Sequence, residues 1–423
     1  MNQNYQIKEL ADSISTLKKN TLLSSVFKKA LIKKFKNIEI GYIELIDNDD
    51  KYYFGKNSEK LKASITVKSQ EFYVFLGSGG SLGVSESYMA GYWESDNIVA
   101  LLQIVLKNRP VLESLDSGIA KLIQPINKKI HKNRQNTLKG SKNNILAHYD
   151  LSNEFYKLWL DSTMTYSCGY FENNQSTLKE ASIEKIDRIC RKLELSESDT
   201  LLEIGTGWGS FSAYAAKNYG CSIVTTTISD AQYDYAESLF KKKGLDSKIK
   251  LINMDYRNLE GEYDKIVSIE MIEAVGYQYI PEYFKKINSL LKPNGKAAIQ
   301  AITYNDQNFD NYKNSVDFIK KYIFPGSCLV SFAQVIDVLK VYTDMALVDM
   351  EDITLHYAET LKKWRENFIA VLPEVKKLGF SDSFIKMWEF YFVFCEAGFL
   401  ERNIGDIQMI LAKSNTRDIR INY

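Results

Sequence analysis

Apolar positions in the first quarter of the chain change their spacing several times, and each change predicts a new element. Leu22, Leu23, Val26, Phe27, Ala30, Leu31 and Phe35 recur at helical steps, with Lys28, Lys29, Lys33, Lys34 and Lys36 around them. That pattern predicts a short basic amphipathic helix. Ile38–Leu45, Tyr52–Phe54, Ala63–Val67 and Phe72–Leu76 are short β-branched or aromatic runs, punctuated by Asp47-Asn-Asp-Asp and Gly77-Ser-Gly-Gly-Ser. They read as strands. Ser85–Leu106 returns to a helical pattern, which gives a small α+β domain over residues 1–116. A polar, basic stretch with Pro125 and Gly140 then reads as a linker over 117–145.

From there the pattern settles. Leu201–Ile204, Ser222–Thr227, Ile249–Asn253, Lys265–Ile269 and Ala297–Ile302 are apolar, β-branched runs separated by helical stretches. Strands apolar on both faces, alternating with helices, predict a parallel α/β sheet, here in a domain over 146–423. A mostly helical insertion follows Thr303, and Asp406–Lys413 reads as a late strand.

Composition adds exclusions. With 45% hydrophobic and 25% charged residues, 22 Gly and 6 Pro in 423 residues, this is an ordinary globular chain and not a disordered scaffold. No apolar run approaches the length of a membrane-spanning helix, and the N-terminus carries no secretory pattern. Five widely spaced Cys without a CxxC pair read as reduced thiols in a cytoplasmic protein. Only three His occur, His131, His148 and His356, so a His-rich metal site is not expected. The net charge of +1 hides an asymmetry. Residues 1–145 hold 22 basic against 14 acidic residues, and the remainder 32 against 39. A basic half beside an acidic half suits a polyanionic surface, either anionic lipid or nucleic acid. No aromatic residues interleave with the basic ones in the manner of a nucleic-acid binder, so nucleic acid is not the expected partner.

The chemistry begins at Leu201-Leu-Glu-Ile-Gly-Thr-Gly-Trp-Gly209, which ends the first strand of the α/β unit and opens a helix at Phe211. Gly205, Gly207 and Gly209 let the backbone turn sharply and approach a ligand. Glu203 would hold that loop and the cationic end of a ligand. The second strand ends in Thr225-Thr-Thr-Ile-Ser229, placing Thr227 and Ile228 at the crevice without the acidic ribose ligand of a dinucleotide enzyme, while Gln232 falls on the following helix. Asp255, followed by Tyr256, closes the third strand where an adenine edge would lie. The set fits S-adenosyl-L-methionine better than NAD.

Several ordered motifs then carry a resemblance. His148-Tyr-Asp-Leu-Ser, Met164-Thr-Tyr-Ser-Cys168, the glycine loop, Asp255-Tyr-Arg, Glu273-Ala-Val-Gly and Lys321-Tyr-Ile-Phe-Pro-Gly326 resemble the cyclopropane-fatty-acyl-phospholipid synthases. Leu82-Gly-Val-Ser-Glu-Ser-Tyr-Met-Ala-Gly-Tyr-Trp93 resembles the N-terminal domain of the long bacterial members, and Asn403-Ile-Gly-Asp-Ile-Gln408 their C-terminal strand. The resemblance implies a Rossmann-like, seven-stranded class I methyltransferase domain with a helical insertion, plus the small α+β domain. It implies transfer of a methylene group from S-adenosyl-L-methionine to the cis double bond of unsaturated phospholipid acyl chains. A carbocation forms and is deprotonated by a bound bicarbonate ion held by Cys, Glu, His and Tyr side chains. Cys168, Glu273 and Tyr357 match those positions, and Tyr166 and Ser167 match cofactor contacts.

Two positions depart from the family pattern. Gln300 stands where many members have His, and Ala274 where His often follows the Glu. Gln can donate to an anion but cannot carry a proton. The implied enzyme works as a peripheral protein at the inner face of the membrane, with room for a homodimer. Other readings stay open: a related methyltransferase making methyl-branched or methylene chains, a small-amine N-methyltransferase, and a lipid-binding protein without catalysis.

Overall fold

The structure is a computed structural model that describes residues 21–57, 60–115 and 151–417. The expected linker at 117–145, with His131, and the His148 motif's leading residues lie outside them. The chain forms two compact units. One contains the described residues up to 115 together with Asn314–Pro325 and Leu361–Asn403; the other contains residues 151–313, Gly326–Thr360 and 404–417. Both are therefore assembled from separate stretches, whereas the reading from sequence drew one contiguous boundary near 146.

In the first unit, β1 (Tyr42–Asp47), β2 (Asp50–Gly55), β3 (Lys62–Val67) and β4 (Trp93–Glu94) form a sheet in the order β2-β1-β3-β4. Asn48, in the two-residue turn between β1 and β2, takes a left-handed φ of 53°, a conformation its short polar side chain tolerates. The helix Thr21–Phe35 buries Leu31 and Phe35. Two expectations change here. Phe72–Leu76 is not a strand but part of the helix Glu71–Met89, and the glycine cluster after it lies inside that helix, with a kink at Gly80. A continuous apolar run of five residues has no period to separate strand from buried helix, and Phe72 to Leu76 are buried all round. The helical reading of Ser85–Leu106 is interrupted by β4 before the helix Ile98–Lys107. The helix Asp382–Leu400 packs on Ile98–Lys107 and on Glu71–Met89. Lys107 pairs with Glu401, and Lys321 with Glu86. These contacts draw the later helical segments into this unit.

The second unit is built on seven strands: β5 (Thr200–Ile204), β6 (Ser222–Thr227), β7 (Ile249–Asn253), β8 (Tyr263–Ile269), β9 (Leu291–Tyr304), β10 (Met345–Asp352) and β11 (Ile404–Lys413). Their order is β10-β11-β9-β8-β5-β6-β7, with β11 antiparallel to both neighbours and the pairs from β9 to β7 parallel. This is the class I methyltransferase fold with its seven-stranded sheet. Successive strand residues alternate between two cores. Ile266, Ala297, Ile299, Met409 and Leu411 join one, beneath the helices Ile280–Leu290 and Phe332–Tyr342. Leu201, Val267, Ala298 and Ile410 join the other, beneath Leu178–Lys192, Ser210–Asn218 and Asp230–Lys242. β10 was not expected from the sequence, which reads helical beyond Thr303. It is a half-exposed edge strand rich in Asp and Glu, so it lacks the buried β-branched pattern of its neighbours. Among the described residues no helix is long and apolar enough to cross a membrane.

Candidate active site

Parallel strands deliver their C-terminal ends to one edge of the sheet, and that edge is where such folds take ligands. Three loops meet there: the glycine loop after β5, Glu270–Gly276 after β8, and residues 164–169. Gly205 and Thr206 donate their amides to Thr226 O at 3.1 and 2.9 Å, fixing the glycine loop across β6. Gly205, Gly207 and Gly209 all have positive φ, and a Cβ on Gly207 would meet no protein atom within 4 Å. The loop is thus an open cradle lined by backbone, which fits the nucleoside and amino-acid parts of S-adenosylmethionine.

Glu203 supports that loop from below. It is buried, and its Oε2 accepts from the hydroxyls of Ser212 and Thr225. Burial pushes its carboxyl up to about 7, with those two hydroxyls opposing the shift. Thr227 donates to Gln232 Oε1 at 3.0 Å, and Ser229 caps the helix that carries Gln232. Ile228 between them is half-buried. Asp255 takes a fork of hydrogen bonds from Arg257, and the neighbouring Tyr256 packs edge-on against Tyr283. Tyr166 packs against Tyr156 and Trp159, and Ser167 accepts from the buried Lys185 at 2.7 Å.

The segment carrying Cys168 is tied to the helix after the glycine loop by Thr165 Oγ1 to Ser210 Oγ, 3.2 Å. Three of the four expected catalytic residues converge, and they do so on a fourth that the sequence reading passed over. Glu270 Oε1 accepts from the Cys168 backbone amide at 2.8 Å and from Gln300 Nε2 at 2.7 Å. Glu270 Oε2 accepts from the Tyr357 hydroxyl at 2.6 Å. The amide of Glu270 itself donates to Gln300 O at 2.9 Å, so strand pairing between β8 and β9 sets its place. Met271, next in the chain, stands beside Gly205 of the glycine loop.

Gln300 owes its orientation to the two-residue period of β9 and β11. Gln300 and Gln408 are direct cross-strand partners. Gln408 donates to Gln300 Oε1 at 3.1 Å, which leaves the Gln300 Nε2 group to bridge Glu270 and, at 3.2 Å, Asp406 Oδ2. Two carboxyls thereby share one amide, and the Glu270 charge raises the pKa of the buried Asp406. Burial pushes Asp406 well above the usual carboxylate range, with Glu270 and Glu273 adding to the effect. Glu270 is also raised, first by burial, against the opposing pull of Tyr357, the Cys168 amide, Lys185 and Gln300.

Glu273 takes a different place. Its Oε1 accepts the Ile302 amide, its Oε2 is buried without a hydrogen-bond partner, and burial followed by the Glu270 charge lifts it to about 8. It stands at the edge of the same acidic cluster. The Cys168 thiol is fully buried, and burial together with Asp406 and Glu270 keeps it protonated. His356 accepts the Phe171 amide at 3.1 Å and stacks on Tyr170, and burial lowers its pKa.

A family model described as mycolic acid cyclopropane synthetase matches residues 136–409. The chain is 32% identical over 368 residues to the cyclopropane-fatty-acyl-phospholipid synthase of Escherichia coli K12, covering 85% of this chain and 90% of that protein. It belongs to the cyclopropane-fatty-acyl-phospholipid synthase family. Members are S-adenosylmethionine-dependent methyltransferases, and so is this chain. Within the family it is 36% identical over 332 residues, 77% of each chain, to the tuberculostearic acid methyltransferase UfaA1 of Mycobacterium tuberculosis. The solved cyclopropane synthase MmaA2 of the same organism superposes with a TM-score of 0.60 at 29% identity, over 64% of this chain and 98% of that one. Glu270, Asp406, Gln408 and Lys185 are the site residues that sequence reasoning missed. The available signal was an acidic residue directly after a buried parallel strand, at the end that faces ligands.

Proposed function

We propose that the protein transfers the one-carbon unit of S-adenosylmethionine onto the cis double bond of an unsaturated acyl chain in a phospholipid, closing a cyclopropane ring. The observation that carries this reading is the convergence of the Cys168 amide, Gln300 and Tyr357 on one carboxylate beside the glycine loop. An alkene is a weak nucleophile, and its attack on a sulfonium methyl leaves a cation on the chain. The site must then exclude water and remove one proton. The sulfonium donor supplies the electrophilic methyl when bound. The chain's own residues cradle it at Gly205 and Gly207, and hold a base opposite.

The resemblance implied a bicarbonate ion as that base, held by Cys168, Glu273, Gln300 and Tyr357. In the fold, the Cys168 amide, Gln300 and Tyr357 donate to the Glu270 carboxylate instead. Peripheral contact with an anionic inner leaflet is supported by the helix Thr21–Phe35, which exposes Leu22 and Val26 alongside Lys29 and Lys33. Each basic residue near such a surface adds about 1 kcal/mol.

A second reading keeps the cation but ends in a methyl-branched or methylene chain. The similarity to the tuberculostearic acid methyltransferase favours carrying it. Expression in a bacterium whose lipids lack such modifications, followed by mass spectrometry and NMR of the fatty acids, tests both. Acyl chains gaining one CH2 with ring-proton signals support cyclopropanation, and a branched or methylene signal supports the second reading. Unaltered chains overturn both.

A further inference from the structure

A bicarbonate ion and a carboxylate present the same fork of two oxygens on one carbon. In this protein the donors that would grip the free ion already grip a side chain. The Cys168 amide, Gln300 Nε2 and the Tyr357 hydroxyl come from three separate elements and all end on Glu270, at 2.8, 2.7 and 2.6 Å. We propose that the Glu270 carboxylate is the general base of this enzyme, tethered where a free anion would otherwise sit, so that turnover needs no bicarbonate. The proposal rests on the reading of the protein as an alkylator of acyl-chain double bonds.

Three further observations point the same way. Among the carboxyls of the cluster, Asp406 is 0% and Glu273 8% exposed, while Glu270 is half-buried, the least enclosed residue of the three. Glu270 has a φ of 49°, in the left-handed region that favours glycine. Holding a longer side chain there costs about 1 kcal/mol, and such strain concentrates at functional sites. Gln300 is matched to the arrangement as well. Its amide can donate to two carboxyls while Gln408 fixes its carbonyl, and it brings no proton or charge of its own to neutralise the base.

The step balances. The alkene π pair forms a bond to the methyl carbon as the sulfur–carbon bond breaks and S-adenosylhomocysteine leaves with that bond's electrons. Glu270 then takes one proton from the transferred methyl, and the C–H electrons become the last bond of the ring. The protonated carboxyl loses its proton to water when the product departs. Its elevated pKa makes it a stronger base toward carbon than an exposed Glu.

The test uses the full chain with vesicles of dioleoyl phosphatidylglycerol, in CO2-stripped buffer with and without added sodium bicarbonate. Wild-type turnover should be the same in both. Glu270→Gly, which the positive φ accommodates, should fall by about 100-fold or more without bicarbonate and recover by about tenfold or more with it. Glu270→Gln, which keeps the shape and fills the position, should stay low in both. Calorimetric binding of S-adenosylhomocysteine should be unchanged in each variant, which separates loss of the base from loss of the fold. A wild type that needs added bicarbonate, or a Glu270→Gln variant with near-normal turnover, overturns the proposal alone. A wild type that adds no CH2 to any acyl chain overturns the parent reading, and this one with it.

Discussion

The Tyr357 hydroxyl donates to Glu270 Oε2 at 2.6 Å, the shortest of the three bonds that hold this carboxylate. A donor to the ionised form lowers a carboxyl pKa, and Tyr357 is the largest of the groups opposing the burial of Glu270. Tyr357→Phe removes the donor and leaves the ring. The Glu270 pKa should then rise, the acidic limb of the pH–rate profile should move to higher pH, and turnover near neutrality should fall. A hydrogen bond to a charged group contributes roughly 1.5–3 kcal/mol, so the loss should be about 10- to 100-fold. An unshifted acidic limb would remove Tyr357 from contact with the base.

Cys168 reaches Glu270 through its backbone, not its sulfur. The thiol donates instead to Gly169 O at 3.1 Å and is held protonated. Cys168→Ala therefore keeps the bond that matters. Turnover should stay within a few-fold of wild type, and stability should drop by about 1 kcal/mol for the lost buried sulfur. Measured kcat and urea midpoints check this. A collapse of kcat with an intact fold would assign the thiol a direct part in the chemistry.

These two residues also mark how far the sequence was legible. Cys168 stands in a recognisable motif, Tyr357 matches a position the family resemblance implies, Gln300 shows as a departure from the family pattern, and the parallel strands announce themselves by apolar runs buried on both faces. Glu270 stands only three residues before Glu273, in Ile269-Glu-Met-Ile-Glu, and the one linear cue that separates the two carboxylates is that Glu270 follows the strand directly. Their roles diverge because the backbone turns through a left-handed φ at Glu270, aiming it toward Gln300, while Glu273 turns to the Ile302 amide. Asp406 and Gln300 are remote in the chain and meet only through the antiparallel register of β9 and β11. Such a meeting is a product of topology, which local spacing does not encode. The apolar run Phe72–Leu76 failed for the opposite reason, since its local pattern suits either element and packing chose the helix.

Glu203 should make the protein's stability depend on pH in a direction that its position dictates. Its ordinary pKa is 4.5 and burial lifts it to about 7 in the folded state. Between those values the folded chain binds a proton that the unfolded chain has released. The stabilisation is thus complete below about pH 4.5 and is lost as pH rises through about 7. Glu203→Gln stays neutral and keeps an acceptor for Ser212 and Thr225. Its stability relative to wild type should grow on going from pH 5 to pH 8, by on the order of 3 kcal/mol. Denaturant midpoints of the two proteins at both pH values supply the comparison. Parallel changes would mean that Glu203 is ionised in the fold across this range.

Gly207 separates the conformational demand of the glycine loop from its contact with a ligand. Its φ is 53° and an added Cβ would meet nothing within 4 Å. Gly244, which follows the helix Asp230–Lys242, has a φ of 66° and equally open surroundings. Alanine at either position takes the same left-handed strain, about 1 kcal/mol, with no protein atom in the way. Only at Gly207 does the methyl project from the loop proposed to cradle the cofactor. Gly207→Ala and Gly244→Ala should therefore unfold at similar denaturant concentrations while differing in S-adenosylhomocysteine affinity. We expect a loss of about tenfold or more for Gly207→Ala, since displacing the ligand from the backbone forfeits a charge-assisted or close polar contact, and no change for Gly244→Ala. Equal affinities in the two variants would move the cofactor off this loop. Unequal stabilities with equal affinities would leave Gly207 a purely structural glycine.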